Sequence, residues 1–363
     1  MATIYDVAKL AGVSAKTVSR VLNRDAPVNV KTRATVLEAI ESLGYVPSLA
    51  ARSIKSQKSG LIGLITGAIS LASDEKATHG LPELHIVQGI QHVVATSGKT
   101  LLISDTGGRP DRVPQLIRTF REHRVEGLIY VSDYHKRVEL PLPAEGTATV
   151  LVNCYDDIGT PCILPDDEAG QYALTRAVIA AGHRRLGYLT LSERQDATHL
   201  RLSGHRRAFS EAGIEYDPAL VAPTDMFGTP GEHQLIWDAL DRFLRNHEPP
   251  TVICCGNDRL AMAVYGILRD RGIAIPDDMS VVGYDDHRLV SETLYPALTT
   301  AELPYFAMGG RAARCLLEMI GGSSGTAPAE PVLVGGQVQI RGSLAERRVN
   351  DAAIIDIKGR MRT

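Results

Sequence analysis

Seven short apolar runs fix the architecture of most of this chain. LIGLIT (61–66), TLLIS (100–104), GLIYV (127–131), TVLVN (149–153), LGYLTL (186–191), TVICC (251–255) and MSVVGYDD (279–286) alternate with helical patterns such as 110–123, 168–181 and 257–271. A strand covered on one face alternates apolar and polar residues, whereas these runs are apolar on consecutive positions and so predict strands covered on both faces. That pattern belongs to a mostly parallel sheet with helices above and below. The repeats are too many for one comfortable sheet, which predicts two lobes with a cleft at the carboxyl ends of the strands. Asn153, Asn257 and Asp285 end or directly follow apolar runs and are placed there.

The first sixty residues follow a different rhythm, with three short helical patterns and no strand. Thr3 and Asp6 can form a capping pair for the first pattern, whose apolar positions are Val7, Ala8, Leu10 and Ala11, with Gly12 as its stop. Ser14 can cap the second, and Asn29 precedes the third, whose stripe is Val36, Leu37, Ile40 and Leu43 before Gly44. Residues 1–60 hold nine Lys and Arg against four Asp and Glu, a balance of +5. The whole chain carries -3, so the remainder carries -8. A small basic module on an acidic body points to a phosphate backbone as the partner of the first part only. In GVSAKTVSRVL (12–22), a helix would gather Val18, Val21 and Leu22 on one arc and leave Lys16 and Arg20 opposite. Taken alone, that polar face fits either a solvated surface or a helix entering the major groove.

The segment SLAARSIKSQKSG (48–60) is small and basic, a linker with Leu49 and Ile54 as its large apolar side chains. The expected organisation is a headpiece over 1–46, a hinge over 47–59, a two-lobed body over 60–345 and a tail over 346–363. The end of the tail, NDAAIIDIKGRMRT (350–363), is too short for three coiled-coil heptads, so higher assembly through a C-terminal coiled coil is not expected. No apolar stretch nears the ~18–20 residues that span a bilayer, and nothing before Ile4 resembles a leader, so the expected compartment is the cytoplasm. The five cysteines (Cys154, Cys162, Cys254, Cys255, Cys315) lack metal-site spacing and read as small core residues. With no phosphate-binding glycine motif and no nucleophile elbow, neither an enzyme nor a cofactor is expected.

TIYDVAKLAGVSAKTVSRVLN (3–23) followed by VNVKTRATVLEAIESLGYVPSLAARSIKS (28–56) resembles the DNA-binding headpiece and hinge of the lactose-repressor/galactose-repressor (LacI/GalR) family. The resemblance continues through VEGLIYV (125–131), AAGHRRLGYL (180–189), CCGNDRLAMAVYGIL (254–268), IPDDMSVVGYDD (275–286) and QIRGS (339–343), covering nearly the whole chain. It implies an all-α helix-turn-helix headpiece joined to a periplasmic-binding-protein-like body of two Rossmann-like lobes. It also implies a cytoplasmic homodimer on double-stranded operator DNA, without membrane attachment, controlled by a small-molecule effector.

Carried over by position, the resemblance makes Ala15, Lys16 and Arg20 base readers. Ile4, Tyr5, Ser14, Thr17, Ser19, Asn23, Asn29, Thr32 and Tyr45 join them at the DNA, mostly placing the phosphate backbone. Ala51 and Ile54 belong to the hinge, with Ile54 as minor-groove wedge where leucine is usual, a stiffer β-branched side chain. The bland alternatives are that Tyr5 and Tyr45 close the small core and that Asn29 only caps a helix. The implied effector residues are Asn153, Leu164, Arg201, Phe227, Asn257, Asp285 and Tyr305, which suit a sugar or sugar derivative, with a purine or nucleoside as the alternative. Here too each polar residue has a plainer reading: Asn257 as a helix cap, Asp285 as a turn residue, Arg201 in a surface ion network. Arg184, Arg185, Arg194 and His199, close by in sequence, leave a phosphorylated or acidic sugar open. Leu303 stands where a polar residue is frequent in the family.

Overall fold

The computed structural model describes residues 2–23, 27–46, 58–67, 81–142, 147–224, 231–322, 328 and 330–347. The chain divides into two compact units, Met1–Gly60 and Leu61–Thr363. Most of the expected hinge and nearly all of the tail lie outside the described residues.

The first unit contains α1 (Ile4–Leu10), α2 (Ala15–Asn23) and α3 (Val30–Ser42). Thr3 and Asp6 form the expected capping box, the Thr3 amide donating to Asp6 Oδ2 at 2.8 Å and the Asp6 amide to Thr3 Oγ1 at 3.3 Å. Gly12 (φ 63°) and Gly44 (φ 56°) take left-handed backbone just beyond α1 and α3, where a side chain would be strained. Val7, Ala8, Val18, Val21, Val36 and Ala39 make the core. Leu10 and Leu37, expected among the apolar positions, face outward instead. Such a core takes one narrow stripe from each helix, and on α3 that stripe runs through Val36, Ala39 and Ile40 to Leu43 at its C-cap, one residue round from Leu37.

The second unit holds two six-stranded sheets. In lobe 1, β1 (Leu61–Thr66), β2 (Thr100–Asp105), β3 (Gly127–Arg137), β4 (Ala148–Tyr155), β5 (Cys162–Pro165) and β11 (Val332–Val334) lie in the order β11-β5-β4-β3-β1-β2, all parallel. In lobe 2, β6 (Leu186–Thr190), β7 (Val221–Pro223), β8 (Val252–Cys255), β9 (Ser280–Asp285), β10 (Thr299–Glu302) and β12 (Val338–Gln339) lie in the order β12-β10-β9-β8-β6-β7, with β12 antiparallel to β10. Successive residues feed opposite core layers. Ile62 and Leu64 join one cluster and Leu61 and Ile65 another, and Cys254 and Cys255 likewise part, which is why the runs read as continuously apolar.

The helices of this unit are α4 (Leu81–Thr96), α5 (Val113–Glu122), α6 (Asp167–Ala180), α7 (Asp196–Glu211), α8 (Glu232–Leu244), α9 (Asp258–Asp270), α10 (Arg288–Ser291) and α11 (Tyr305–Gly321). Although α11 follows the strands of lobe 2, it packs in lobe 1, where Met308, Ala312 and Leu316 join Ile86 and Ile90 of α4. Two glycines permit the close crossing: a Cβ on Gly89 would collide with the Phe306 carbonyl, and one on Gly309 with that of Ile86. The chain therefore passes between lobes three times, at 165–167, 302–305 and 334–338. These passages are bonded together, the Asp166 amide donating to the Val334 carbonyl at 3.0 Å and the Glu302 amide to that of Gln337 at 2.8 Å.

Two buried histidines make lobe 2 sensitive to acid. His183 lies between Thr251 Oγ1 (2.7 Å) and the Ala345 carbonyl (3.1 Å), and burial pulls its pKa down to about 4. His205 stacks among Tyr188, Phe209 and Tyr216, and burial takes it down to about 3. A histidine whose folded pKa is depressed stabilises the fold fully above its unfolded pKa, near 6.5. That contribution, on the order of 3 kcal/mol for His183 and 5 kcal/mol for His205, is lost progressively as pH falls from the unfolded value to the folded one. Urea unfolding is therefore expected to show stability declining from pH 6.5 toward pH 4, with a shallower decline in His183→Asn; an unchanged slope in that variant contradicts the assignment.

Candidate functional site

On the first unit, α2 buries Val18 and Val21 and turns Lys16 and Arg20 to solvent. Among the described residues neither cation has an ion-pair partner, so the face is open and positively charged. Ser14 caps α2, its Oγ accepting from the Thr17 amide at 3.2 Å, and Asn29 caps α3, accepting from the Lys31 amide at 2.9 Å. Tyr5 is 74% exposed, which sets aside its reading as a core residue, whereas Tyr45 does rest on the core edge. Asn23 donates to Ser19 Oγ at 3.2 Å along α2. Ile4, Ala15, Thr17 and Thr32 are half-buried. Ala51 and Ile54 lie outside the described residues.

In the second unit the carboxyl ends of the strands of both lobes turn toward one cleft. β4 ends at Asn153, held in left-handed backbone (φ 59°), with Nδ2 donating to the Ser132 carbonyl at 3.3 Å. Asp166 caps α6, accepting from the Ala169 amide at 3.0 Å, and this leaves the next residue, Asp167, buried at the cleft floor. Asp167 is the centre of a cross-lobe network. Its Oδ1 accepts from Arg201 Nε of α7 at 2.7 Å, and its Oδ2 lies 3.0 Å from Nδ1 of His135 of β3 in lobe 1. Arg201 is 3% exposed; its Nη1 donates to the Gly256 carbonyl at 2.6 Å and its guanidinium lies 3.7 Å over the Tyr284 ring. Burial opposes ionisation of Asp167, but Arg201 and His135 outweigh it and hold the carboxyl below its ordinary range. Burial likewise opposes the Arg201 charge, and Asp167 more than restores it. A second cross-lobe bond runs from Tyr155 Oη to Asp196 Oδ2 at 2.8 Å.

Around this floor, Asp285 (φ 121°) and Asp286 (φ 50°) take consecutive left-handed conformations, strain of a kind that gathers at functional sites. Asp286 is bonded to Ser291 Oγ (2.9 Å) and Arg341 (2.8 Å). Behind them Asp258 accepts from Thr300 Oγ1 at 2.6 Å and from the His287 amide at 2.8 Å, and burial pushes its carboxyl upward to about 7. A cavity of about 410 Å³ opens here, between Leu84 and His85 of lobe 1 and Asp285, His287, Leu303 and Tyr305.

The expected effector residues therefore separate. Asp285 and Tyr305 line the cavity, Arg201 belongs to the buried cross-lobe network, and Asn153 is buried at the end of β4 against the Ser132 carbonyl. Asn257 caps α9, its Oδ1 accepting from the Leu260 amide at 2.8 Å, as its plainer reading had it. Leu164 is packed in a satellite core with Val138, Leu151, Cys154 and Cys162, so its side chain serves lobe 1 rather than a cleft wall. Phe227 lies outside the described residues. The surface ion network considered for Arg201 is replaced by a buried one. Sequence reasoning missed His135, Asp167 and Tyr284. The signal for Asp167 was the doublet in LPDDEAG (164–170), where one aspartate suffices as cap and the other is left without a structural task. Arg184 and Arg185 precede the amino end of β6, away from the cleft, and are engaged there by the Ile179 carbonyl and by Asp217. Among the described residues no helix is long and apolar enough to cross a membrane, and no cluster of His, Cys, Asp or Glu is arranged to hold a metal ion.

A family model described as bacterial regulatory proteins, lacI family, matches residues 3–48, and one described as a periplasmic binding protein-like domain matches residues 175–344. Over 320 residues the chain is 33% identical to the sucrose operon repressor of Shigella flexneri, covering 88% of this chain and 94% of that protein. Over 324 residues it is 32% identical to the HTH-type transcriptional repressor PurR of Vibrio atlanticus, covering 88% and 92%. Among solved structures, a transcriptional regulator CelR–cellobiose complex matches with a TM-score of 0.62 at 27% identity, over 94% of this chain and all of that one.

Proposed function

The chain belongs to the lacI family of bacterial regulatory proteins, which are DNA-binding regulators, and on that premise we propose a homodimeric cytoplasmic repressor whose grip on an operator is set by a sugar in the interlobe cleft. It acts by binding and not by catalysis. Two headpieces take the half-sites of a near-palindromic operator, each laying α2 in the major groove. Ala15, Lys16 and Arg20 read base edges there, while Ile4, Tyr5, Ser14, Thr17, Ser19, Asn23, Asn29, Thr32 and Tyr45 set the helix on the backbone. Ala51 and Ile54 serve the minor groove. The observation that carries the DNA reading is the solvent-facing Lys16–Arg20 face, without an ion-pair partner among the described residues, on a helix fixed from behind by Val18 and Val21.

The sugar reading rests on the cleft floor, where Asn153, Asp285 and the remaining nitrogen of Arg201 offer donors and acceptors suited to hydroxyl groups. The family relatives that repress a sucrose operon or are seen with cellobiose add weight to it. His135–Asp167 and Tyr155–Asp196 join the lobes in one arrangement, so a ligand that binds another arrangement must work against those bonds. That is the differential affinity a two-state coupling requires. The test is thermal unfolding of the full chain with a panel of sugars. A ligand at ~100 times its dissociation constant adds ~2.7 kcal/mol, and Arg201→Lys is expected to lose that shift. No sugar raising the midpoint, or an undiminished shift in Arg201→Lys, removes the cleft from the account.

A further inference from the structure

We propose that Asp167 is a specificity-determining residue that restricts the cleft to uncharged ligands and rejects phosphorylated or carboxylated ones; this rests on the sugar reading above. Arg201 is the only Arg or Lys buried among the described residues, so it is the cation an anion taken to the cleft floor would meet; Arg288, which lines the cavity, is exposed and faces Glu292. Two of its five N–H donors and one face are already engaged. Nε faces Asp167 at 2.7 Å, Nη1 faces the Gly256 carbonyl at 2.6 Å, and the guanidinium plane lies against Tyr284 at 3.7 Å. The second N–H of Nη1 and both on Nη2 have no acceptor among the described residues. A phosphate or carboxylate gains most from a guanidinium whose charge is uncommitted, and here the charge is already balanced by a buried carboxylate 2.7 Å away. One N–H is sufficient for a hydroxyl group.

The charge of the floor points the same way. Arg201 and Asp167 cancel, and Asp285 adds a negative side chain at the cavity. The cavity lining further sets Asp286 and Glu302 against Arg288, beside His85 and His287, and Nδ1 of His135 is turned to the second oxygen of Asp167 at 3.0 Å. The cations that left an acidic ligand open on sequence grounds do not alter this. Arg184 and Arg185 are engaged at the opposite end of β6, and Arg194 and His199 are exposed to solvent. An anion brought to Nη2 would therefore face the Asp167 carboxylate in a poorly screened site, where like charges repel strongly. Asparagine at 167 keeps the shape and an oxygen for Arg201 Nε, and removes the compensating charge.

The experiment is titration calorimetry of the full chain with matched pairs: glucose and glucose 6-phosphate, galactose and galacturonate, ribose and ribose 5-phosphate, sucrose and sucrose 6-phosphate. In the wild-type chain the neutral member of the best-bound pair is expected to bind at least ten-fold more tightly than its anionic counterpart. In Asp167→Asn that preference is expected to fall at least ten-fold. Equal or tighter binding of the anionic member by the wild type overturns the inference while leaving the sugar reading intact, and this arm stands even where the variant fails to fold. A folded Asp167→Asn with an unchanged preference overturns the role of Asp167. Binding of neither member of any pair overturns the sugar reading, and this inference with it.

Discussion

Arg201→Ala is expected to destabilise the second unit by about 3–5 kcal/mol, the range seen when one partner of a buried ion pair is removed. The cause is the group left behind. Asp167 is 1% exposed, and without Arg201 its carboxylate has, among the described residues, only the His135 side chain opposite it. Most of the loss should therefore be recovered by removing the second charge as well, in Arg201→Met combined with Asp167→Asn, since the penalty belongs to an uncompensated charge and not to a missing contact. Urea unfolding of the single and double variants measures this directly. A cost below about 1 kcal/mol in Arg201→Ala would place the pair in the range of exposed salt bridges, and the cleft floor would not be the preorganised site described above.

The second large effect lies on the other unit. Lys16→Ala and Arg20→Ala are each expected to weaken binding to the cognate operator by about 1–3 kcal/mol, roughly 5- to 150-fold, and to relax preference at particular base pairs. Neither substitution should disturb the headpiece, because both side chains point away from the Val7–Val18–Val36 core. Competition binding on an operator library separates the possible roles. Base readers lose discrimination at defined positions, whereas phosphate contacts weaken every sequence alike and reduce the salt slope by about one. A uniform loss across the library would move Lys16 and Arg20 to the backbone and leave the choice of operator to other residues.

Properties that repeat locally were legible in the sequence. The runs around Ile62 and Cys254 read as strands covered on both faces because adjacent side chains do enter opposite core layers. The caps at Thr3, Ser14, Asn29 and Asn257 were readable because a cap is decided within three residues. Asn257 also shows the cost of that legibility, since a residue carried over as a ligand contact has its side-chain oxygen committed to the helix it starts. Leu37 was assigned inward because a stripe of apolar residues does not say which edge of the stripe a core of six small side chains can cover.

The cleft floor was half legible. Asn153, Arg201 and Asp285 could be placed by position, but His135 and Asp167 are 32 residues apart and meet only because the chain crosses between lobes directly after β5. Likewise, nothing in YFAMGGRAARCLLEMIG (305–321) says that this helix packs in lobe 1 after the chain has built the strands of lobe 2. The two glycines that permit the crossing, Gly89 and Gly309, gain their meaning only from the carbonyls they approach.

The central claim is that one chain couples a basic reading helix to a sugar-binding cleft. It is tested most directly by measuring the affinity of the full chain for operator and for scrambled duplexes across a salt series, with and without the sugar that shifts its unfolding midpoint. The expected result is selective binding that weakens steeply with salt and changes at least five-fold with the sugar, the reciprocal change appearing in sugar affinity when operator is added. Equal binding to all duplexes, or operator affinity indifferent to every sugar that binds the cleft, would contradict it.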